Sequence, residues 1–291
     1  MAIPKIASYP MPAELPANRV NWRFDPHRAA LLVHDMQDYF LDFYDRAAAP
    51  VPTLVAHVRR LIDFARAAGM PVYYTAQPAI QAAADRALLT DMWGPGLTAQ
   101  PSRAAICDAL APASGDTVLD KWRYIAFRRS PLETCLREQA RDQLAICGIY
   151  AHIGCLMTAC DAFMRDVQPF FVADALADFS EREHRMALDY VAGRCGMAVT
   201  TDALVGVAPA DDSAPMLAAI AAQVARSLRI PAADLREHDN LVDCGLDSIR
   251  MMTLVEQWRA QGYDVTFVQL AEQPTLGAWT QVLQRAAQVS A

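Results

Sequence analysis

Along the first two hundred residues, short apolar runs alternate with amphipathic stretches, and the hydrophobic period switches between two and 3.6. Ala29-Ala30-Leu31-Leu32-Val33-His34 reads as a strand, residues 51–68 as a helix, and Pro71-Val72-Tyr73-Tyr74-Thr75 as a second strand. Gly69-Met70-Pro71 supplies the helix stop between them, and Gly115-Asp116 stands before a third strand, Thr117-Val118-Leu119-Asp120. The rhythm continues with a helix at 131–140, a strand at 143–149, a helix at 156–165, a strand at 170–173, a helix at 181–192 and a strand at 197–200. That order predicts an α/β unit with a parallel sheet and helices on both faces.

The pattern then breaks. Residues 205–214 are rich in small residues, proline and acid with no sustained apolar period, and they read as a linker. At 291 residues and 54% hydrophobic, the chain is long enough for two domains of unequal size, a larger one at 1–204 and a smaller one at 215–291.

Charge and cysteine usage narrow the function. The net charge is −7 with the basic residues scattered, which argues against nucleic acid and against an anionic membrane surface, and leaves proteins and small molecules as partners. Seven cysteines occur without a C-x-x-C pair or a histidine at zinc-ligand spacing, so they read as reduced thiols of a cytoplasmic protein. The early prolines Pro4, Pro10, Pro12 and Pro16 do not suit a signal peptide. The most apolar stretch, residues 144–159, contains His152 and two glycines and is too short for a membrane span.

In open parallel sheets ligands bind beyond the carboxyl ends of the strands. The first strand ends at Asp35, the second at Gln77, the third at Asp120-Lys121 and the fourth at Tyr150-Ala151-His152, so an acid, an amide, a cation and a phenol converge. Taken singly, Asp35 would read as a loop acid or helix cap. A second feature lies in Asp243-Cys244-Gly245-Leu246-Asp247-Ser248-Ile249, ahead of an amphipathic helix. Gly245 permits a tight turn, and Asp247 and Ser248 start helices well, so the Ser248 hydroxyl is expected exposed at a helix N-terminus. With His238 the one histidine near it in sequence, it reads as a serine presented to another enzyme for modification.

That run resembles the attachment site of acyl, aryl and peptidyl carrier proteins. The likeness spans about residues 215–289: an apolar helix, a long loop with Asn240-Leu241-Val242-Asp243, the serine helix, a segment around Phe267-Val268-Gln269-Leu270, and a helix opened by Pro274-Thr275. It implies a small all-α four-helix carrier domain whose Ser248 receives 4'-phosphopantetheine from coenzyme A through a phosphopantetheinyl transferase. Met252 and Phe267 are the expected docking residues. Asp243 and Asp247 are a weak pointer to Mg²⁺ beside Ser248.

Upstream, His34-Asp35-Met36-Gln37-Asp38-Tyr39-Phe40, the run Asp120-Lys121-Trp122-Arg123-Tyr124, and Gly148-Ile149-Tyr150-Ala151-His152-Ile153-Gly154-Cys155 together resemble the isochorismatase-like hydrolases over residues 21–204. The resemblance implies Asp35 and Lys121 as the catalytic pair, with Asp35 the general acid. Lys121, Arg86 and Gln77 would meet the substrate carboxylates, Tyr150 would offer its phenol to a ligand oxygen, and Phe40 and Trp93 would wall the ring. Many relatives are amidases with a nucleophilic cysteine, and the alignment puts Gly154 at that place. Cys155, one residue on, is turned by about 100° around a helix axis and reads as a packing thiol, with a nucleophile as the competing reading. Arg86 has a competing reading as a surface ion pair with Asp85.

The whole chain resembles the bifunctional isochorismatase and aryl carrier proteins of catechol siderophore pathways. The family implies hydrolysis of isochorismate to 2,3-dihydro-2,3-dihydroxybenzoate and pyruvate. It also implies loading of 2,3-dihydroxybenzoate on the Ser248 arm by an aryl-adenylating ligase, removal by a synthetase condensation domain, and homo-oligomerisation through the hydrolase domain. Two alternatives stay open: a carrier on an inactive hydrolase scaffold, and an amidase acting through Cys155.

Overall fold

The computed structural model describes residues 3–206 and 213–289, and most of the expected linker, residues 207–212, lies outside them. The chain divides into two compact units, Met1–Pro209 and Ala210–Ala291.

The first unit is built on six strands: β1 (Ala29–His34), β2 (Val72–Ala76), β3 (Thr117–Asp120), β4 (Gln143–Ile149), β5 (Gln168–Ala177) and β6 (Met197–Val199). They pair in the order β3-β2-β1-β4-β5-β6, all parallel. The order reverses between β1 and β4, so the loops after these strands part and leave a crevice at the carboxyl edge. Alternation along each strand assigns the two faces. Leu31, Val33, Tyr74, Ala145, Cys147 and Val172 pack with α2 (Val51–Ala67), whose Leu54, Val58, Leu61 and Ile62 form its buried stripe. Ala30, Leu32, Tyr73, Leu144, Ile146 and Phe171 face the other way. They meet α5 (Leu132–Glu138), α6 (Leu156–Phe163) and α7 (Glu181–Arg194) through Leu136, Ala159 and Leu188.

Strand β5 extends well past the apolar run at 170–173, through Asp174, whose carboxylate is satisfied in place. Asp174 Oδ1 accepts from the Thr201 backbone N–H at 2.7 Å and its hydroxyl at 2.9 Å, at the start of α8 (Thr201–Val205). Three short helices around the crevice carried no periodic signal: α1 (Asp38–Leu41), α3 (Ala83–Arg86) and α4 (Leu89–Trp93). At four or five residues each they are too short for a period to show.

The second unit contains α9 (Ser213–Leu228), α10 (Ser248–Ala260), α11 (Phe267–Glu272) and α12 (Leu276–Val289). Its core gathers Ile220, Val224, Leu241, Leu246, Met251, Leu254, Leu270 and Leu283 around Trp258 and Trp279, whose rings meet edge to face at 5.7 Å. Both indole N–H groups are satisfied, by Gln223 Oε1 at 2.5 Å and by the Leu270 carbonyl at 2.9 Å, as buried tryptophans require. Helix α11 is opened by a capping box in which Thr266 and Gln269 bond reciprocally.

Candidate active site and carrier serine

The crevice holds a small cavity at the carboxyl edge of the sheet. Asp35, Phe40, Gln77, Arg86, Trp93, Lys121, Tyr150 and Gly154, all singled out from the sequence, line it. They arrive from the ends of β1, β2, β3 and β4 and from the short helices between.

Asp35 follows β1 with φ 50, a left-handed conformation that aspartate tolerates better than most residues. Its carboxylate is buried and receives the Thr75 hydroxyl at 2.5 Å and the Lys121 ammonium at 2.9 Å. Burial by itself would raise this carboxyl. The surrounding positive charge, from His34 when protonated and from Lys121, acts with the Thr75 and Lys121 hydrogen bonds to outweigh burial and hold it below the ordinary range. Burial pushes His34 down to about 4, so at neutral pH its imidazole is uncharged and Lys121 and Thr75 carry the effect on Asp35.

Arg86 is 5% exposed and does not pair with Asp85, which instead meets Arg129 at 2.7 Å. Its Nε donates to the Gly94 carbonyl at 2.7 Å, while Nη1 is buried with no hydrogen-bond partner. An unsatisfied buried guanidinium N–H at a cavity wall is costly unless a ligand completes it. Gly96 makes the room: a Cβ there would fall 2.3 Å from Arg86 Nη2. Gln77 is held by Gln37, which accepts from the Gln77 N–H at 2.7 Å and donates to its carbonyl at 2.9 Å.

Tyr150 lines the cavity, its hydroxyl donating to the Phe40 carbonyl at 2.9 Å. Its ring also forms a wall, packed against Phe40 and against Phe179 at 4.7 Å between centroids. Trp93 donates to the Tyr124 hydroxyl at 2.7 Å and packs on Phe179 at 6.1 Å. Cys155 is fully buried among residues of the α5–α7 layer and does not line the cavity, and burial raises its thiol well above the ordinary value. His152 is anchored by Asp178, which accepts from its backbone N–H at 2.6 Å and meets its Nδ1 at 2.5 Å.

Sequence reasoning missed His34, Thr75, Gln37 and Phe179. Thr75 and His34 are register partners at adjacent strand ends, a signal that needs the pairing of β1 with β2. Phe179 follows the unforeseen extension of β5.

In the second unit Ser248 is exposed as the first residue of α10, with Asp247 as N-cap accepting from the Arg250 N–H at 2.8 Å. The capping carboxylate is thereby engaged, and among the described residues no group of three or more metal-ligating side chains gathers, so the suggested Mg²⁺ has no cradle there. Met252 is 58% exposed, whereas Phe267 is half-buried and packs on the domain core. Ile249 and Val268, unnoticed in the sequence, stand more open at 78% and 63%. No helix among the described residues is long and apolar enough to cross a membrane.

A parallel sheet with an aspartate–lysine pair at its carboxyl edge, on one chain with a separate bundle whose exposed serine opens a helix, describes a hydrolase joined to a carrier. Residues 29–203 match the isochorismatase domain and residues 218–283 match the phosphopantetheine attachment site. The chain belongs to the isochorismatase family and carries a C-terminal phosphopantetheine-binding domain. It is 51% identical to enterobactin synthase component B of Escherichia coli, over 98% of this chain and 99% of that protein. It is 50% identical to an isochorismatase of Bacillus subtilis, over 97% and 96%. A cysteine hydrolase structure from Pseudomonas syringae superposes with TM-score 0.60 at 26% identity, covering 66% of this chain and 96% of that one.

Proposed function

We propose that the chain hydrolyses the enolpyruvyl vinyl ether of isochorismate to 2,3-dihydro-2,3-dihydroxybenzoate and pyruvate, and that it carries 2,3-dihydroxybenzoate as a thioester for siderophore assembly. The observation that carries the first half is the buried Asp35 carboxylate, 2.9 Å from Lys121 in a cavity lined by Gly154 where an amidase would present its cysteine.

A vinyl ether needs a proton rather than a nucleophile. Asp35 delivers it to the methylene carbon, giving an oxocarbenium ion; water adds to that ion and gives up a proton, and the hemiketal collapses to pyruvate and the diol. Lys121 lowers the proton affinity of Asp35, which makes it a stronger acid once loaded and stabilises the carboxylate that proton transfer creates. Loading is favoured when the two substrate carboxylates enter the cavity and water leaves it. Arg86, with its unpaired Nη1, and Gln77 are the proposed carboxylate partners, and Phe40, Trp93, Tyr150 and Phe179 shut out water.

For the carrier half, the open Ser248 hydroxyl at a helix start, with no hydrogen bond holding it among the described residues, suits attachment of phosphopantetheine. That arm supplies a thiol that carries the aryl acid as a thioester. We place the hydrolase at residues 1–204 and the carrier at 215–291. A phosphopantetheinyl transferase, an aryl-adenylating ligase and a condensation domain are the proposed partners, and the hydrolase domain the proposed site of self-association. The proposed location is the cytoplasm.

The test is release of pyruvate from isochorismate, coupled to lactate dehydrogenase. The wild-type chain is expected to turn over and Asp35→Asn to fold normally while losing orders of magnitude in rate. A near-wild-type rate in Asp35→Asn would overturn the assignment, and no pyruvate from wild type would leave an inactive scaffold.

A further inference from the structure

His34 has no part in the reaction just described, yet it is fully buried and several features converge on it. Two glycines make room for it. At Gly148, paired with His34 across β1 and β4 and held at φ 109, a Cβ would lie 2.2 Å from the His34 carbonyl oxygen. At Gly154 a Cβ would lie 2.2 Å from the ring carbon Cε1 and 2.8 Å from Nε2. A real Cβ essentially never comes that close, so a side chain at position 154 and the imidazole in its present place cannot both stay where they are, and one must shift.

The ring's hydrogen bonds fix its tautomer. Nδ1 lies 2.8 Å from the Ile149 carbonyl, which can only accept, so Nδ1 bears the hydrogen. Nε2 then carries the lone pair and stands 2.8 Å from Lys121 Nζ, with the Tyr124 backbone carbonyl also bonding the ring. Lys121 therefore donates to two acceptors at once, His34 Nε2 and Asp35 Oδ2.

We propose that His34 is a positioning residue of the hydrolase site, filling with its imidazole the volume a nucleophile at position 154 would need and fixing the Lys121 ammonium against Asp35 with its Nε2 lone pair. This rests on the reading of Asp35 and Lys121 given above. A lysine side chain has several free torsions and about 2 kcal/mol of rotamer entropy to lose, so one contact alone leaves its charge free to wander. An uncharged acceptor orients that charge without cancelling it, as a second carboxylate would. The His34–Gly154 pair thus accounts both for the lysine geometry and for the absence of a cysteine from the cavity wall.

Two measurements test this. The first compares His34→Met, which fills the volume without an acceptor, with His34→Gln, which keeps one, by steady-state pyruvate release and thermal unfolding. His34→Met is expected to fold, to hold KM within about threefold, and to lose about 100-fold in kcat, as loss of a hydrogen bond to a buried charge predicts. His34→Gln is expected to recover most of that loss. Full kcat in His34→Met, or no rescue by His34→Gln, overturns the positioning role.

The second needs no turnover. Gly154→Cys should lower Tm, and combining it with His34→Ala should cost less than the sum of the two single changes. Additive losses overturn the shared-volume claim. Should wild type release no pyruvate, the hydrolase reading falls while this thermal cycle still decides the exclusion between positions 34 and 154.

Discussion

Asp35 and Thr75 are bonded to each other in both directions: the Thr75 hydroxyl donates to Asp35 Oδ1 at 2.5 Å and accepts from the Asp35 backbone N–H at 3.0 Å. The second bond holds the left-handed turn that aims the carboxylate, and the first removes one of its lone pairs from competition. Thr75→Val keeps the shape and deletes both. It is expected to reduce kcat/KM about 10- to 100-fold and to cost about 1–3 kcal/mol of stability through the orphaned Asp35 N–H. Steady-state kinetics with thermal unfolding check it, and an unaltered rate would mean that Asp35 needs no such support.

The cavity wall offers a second test that leaves every charge in place. Gly96→Ala pushes a methyl to within 2.3 Å of Arg86 Nη2 and puts alanine at φ 58, so the guanidinium must move. If Arg86 holds a substrate carboxylate, KM should rise about tenfold or more in both Gly96→Ala and Arg86→Leu, in keeping with a charge-assisted bond. A KM unchanged in Arg86→Leu would assign the arginine to packing.

Acid should destabilise the hydrolase domain before its carboxylates titrate. Burial holds both His34 and His184 near 4, against about 6.5 in an unfolded chain. Between those values the unfolded chain takes up protons that the folded one refuses. The stabilisation from their neutral forms is complete above about 6.5 and is lost as pH falls toward 4, by about 3 kcal/mol for each histidine. His152 runs the other way: burial opposes its charge, but the Asp178 carboxylate raises it above the ordinary value, so its contribution is present in acid and is lost as pH rises through the folded value. Melting curves from pH 7 to 4.5 should show a falling Tm, and His184→Gln should flatten the fall. A constant Tm across that range would contradict the assigned burial.

The carrier serine is tested by mass. Treatment with coenzyme A and a phosphopantetheinyl transferase should add about 340 Da, one phosphopantetheine arm. Ser248→Ala should add nothing while still releasing pyruvate. A retained mass gain would move the attachment point elsewhere.

The order of strands and helices was readable in the chain because the apolar period differs between a strand and a helix and each unit is long enough to repeat it. So was the list of polar residues at strand ends, together with the turn and helix start that leave Ser248 exposed, since these depend on local chemistry. Asp174 shows the limit: its polarity suggests a strand end, and only the distant Thr201 reveals that it is paid for within β5. The same holds for the site. The bonds of Asp35 with Thr75, and of Lys121 with Asp35 and His34, join residues at the ends of three strands, the donation of the Tyr150 hydroxyl to Phe40 spans 110 residues, and the fit of Arg86 over Gly96 is a matter of tenths of an ångström. Local sequence chooses which groups reach the carboxyl edge of the sheet. Strand register and packing decide which of them remain free for a ligand, because a hydrogen bond made inside the fold is no longer available outside it.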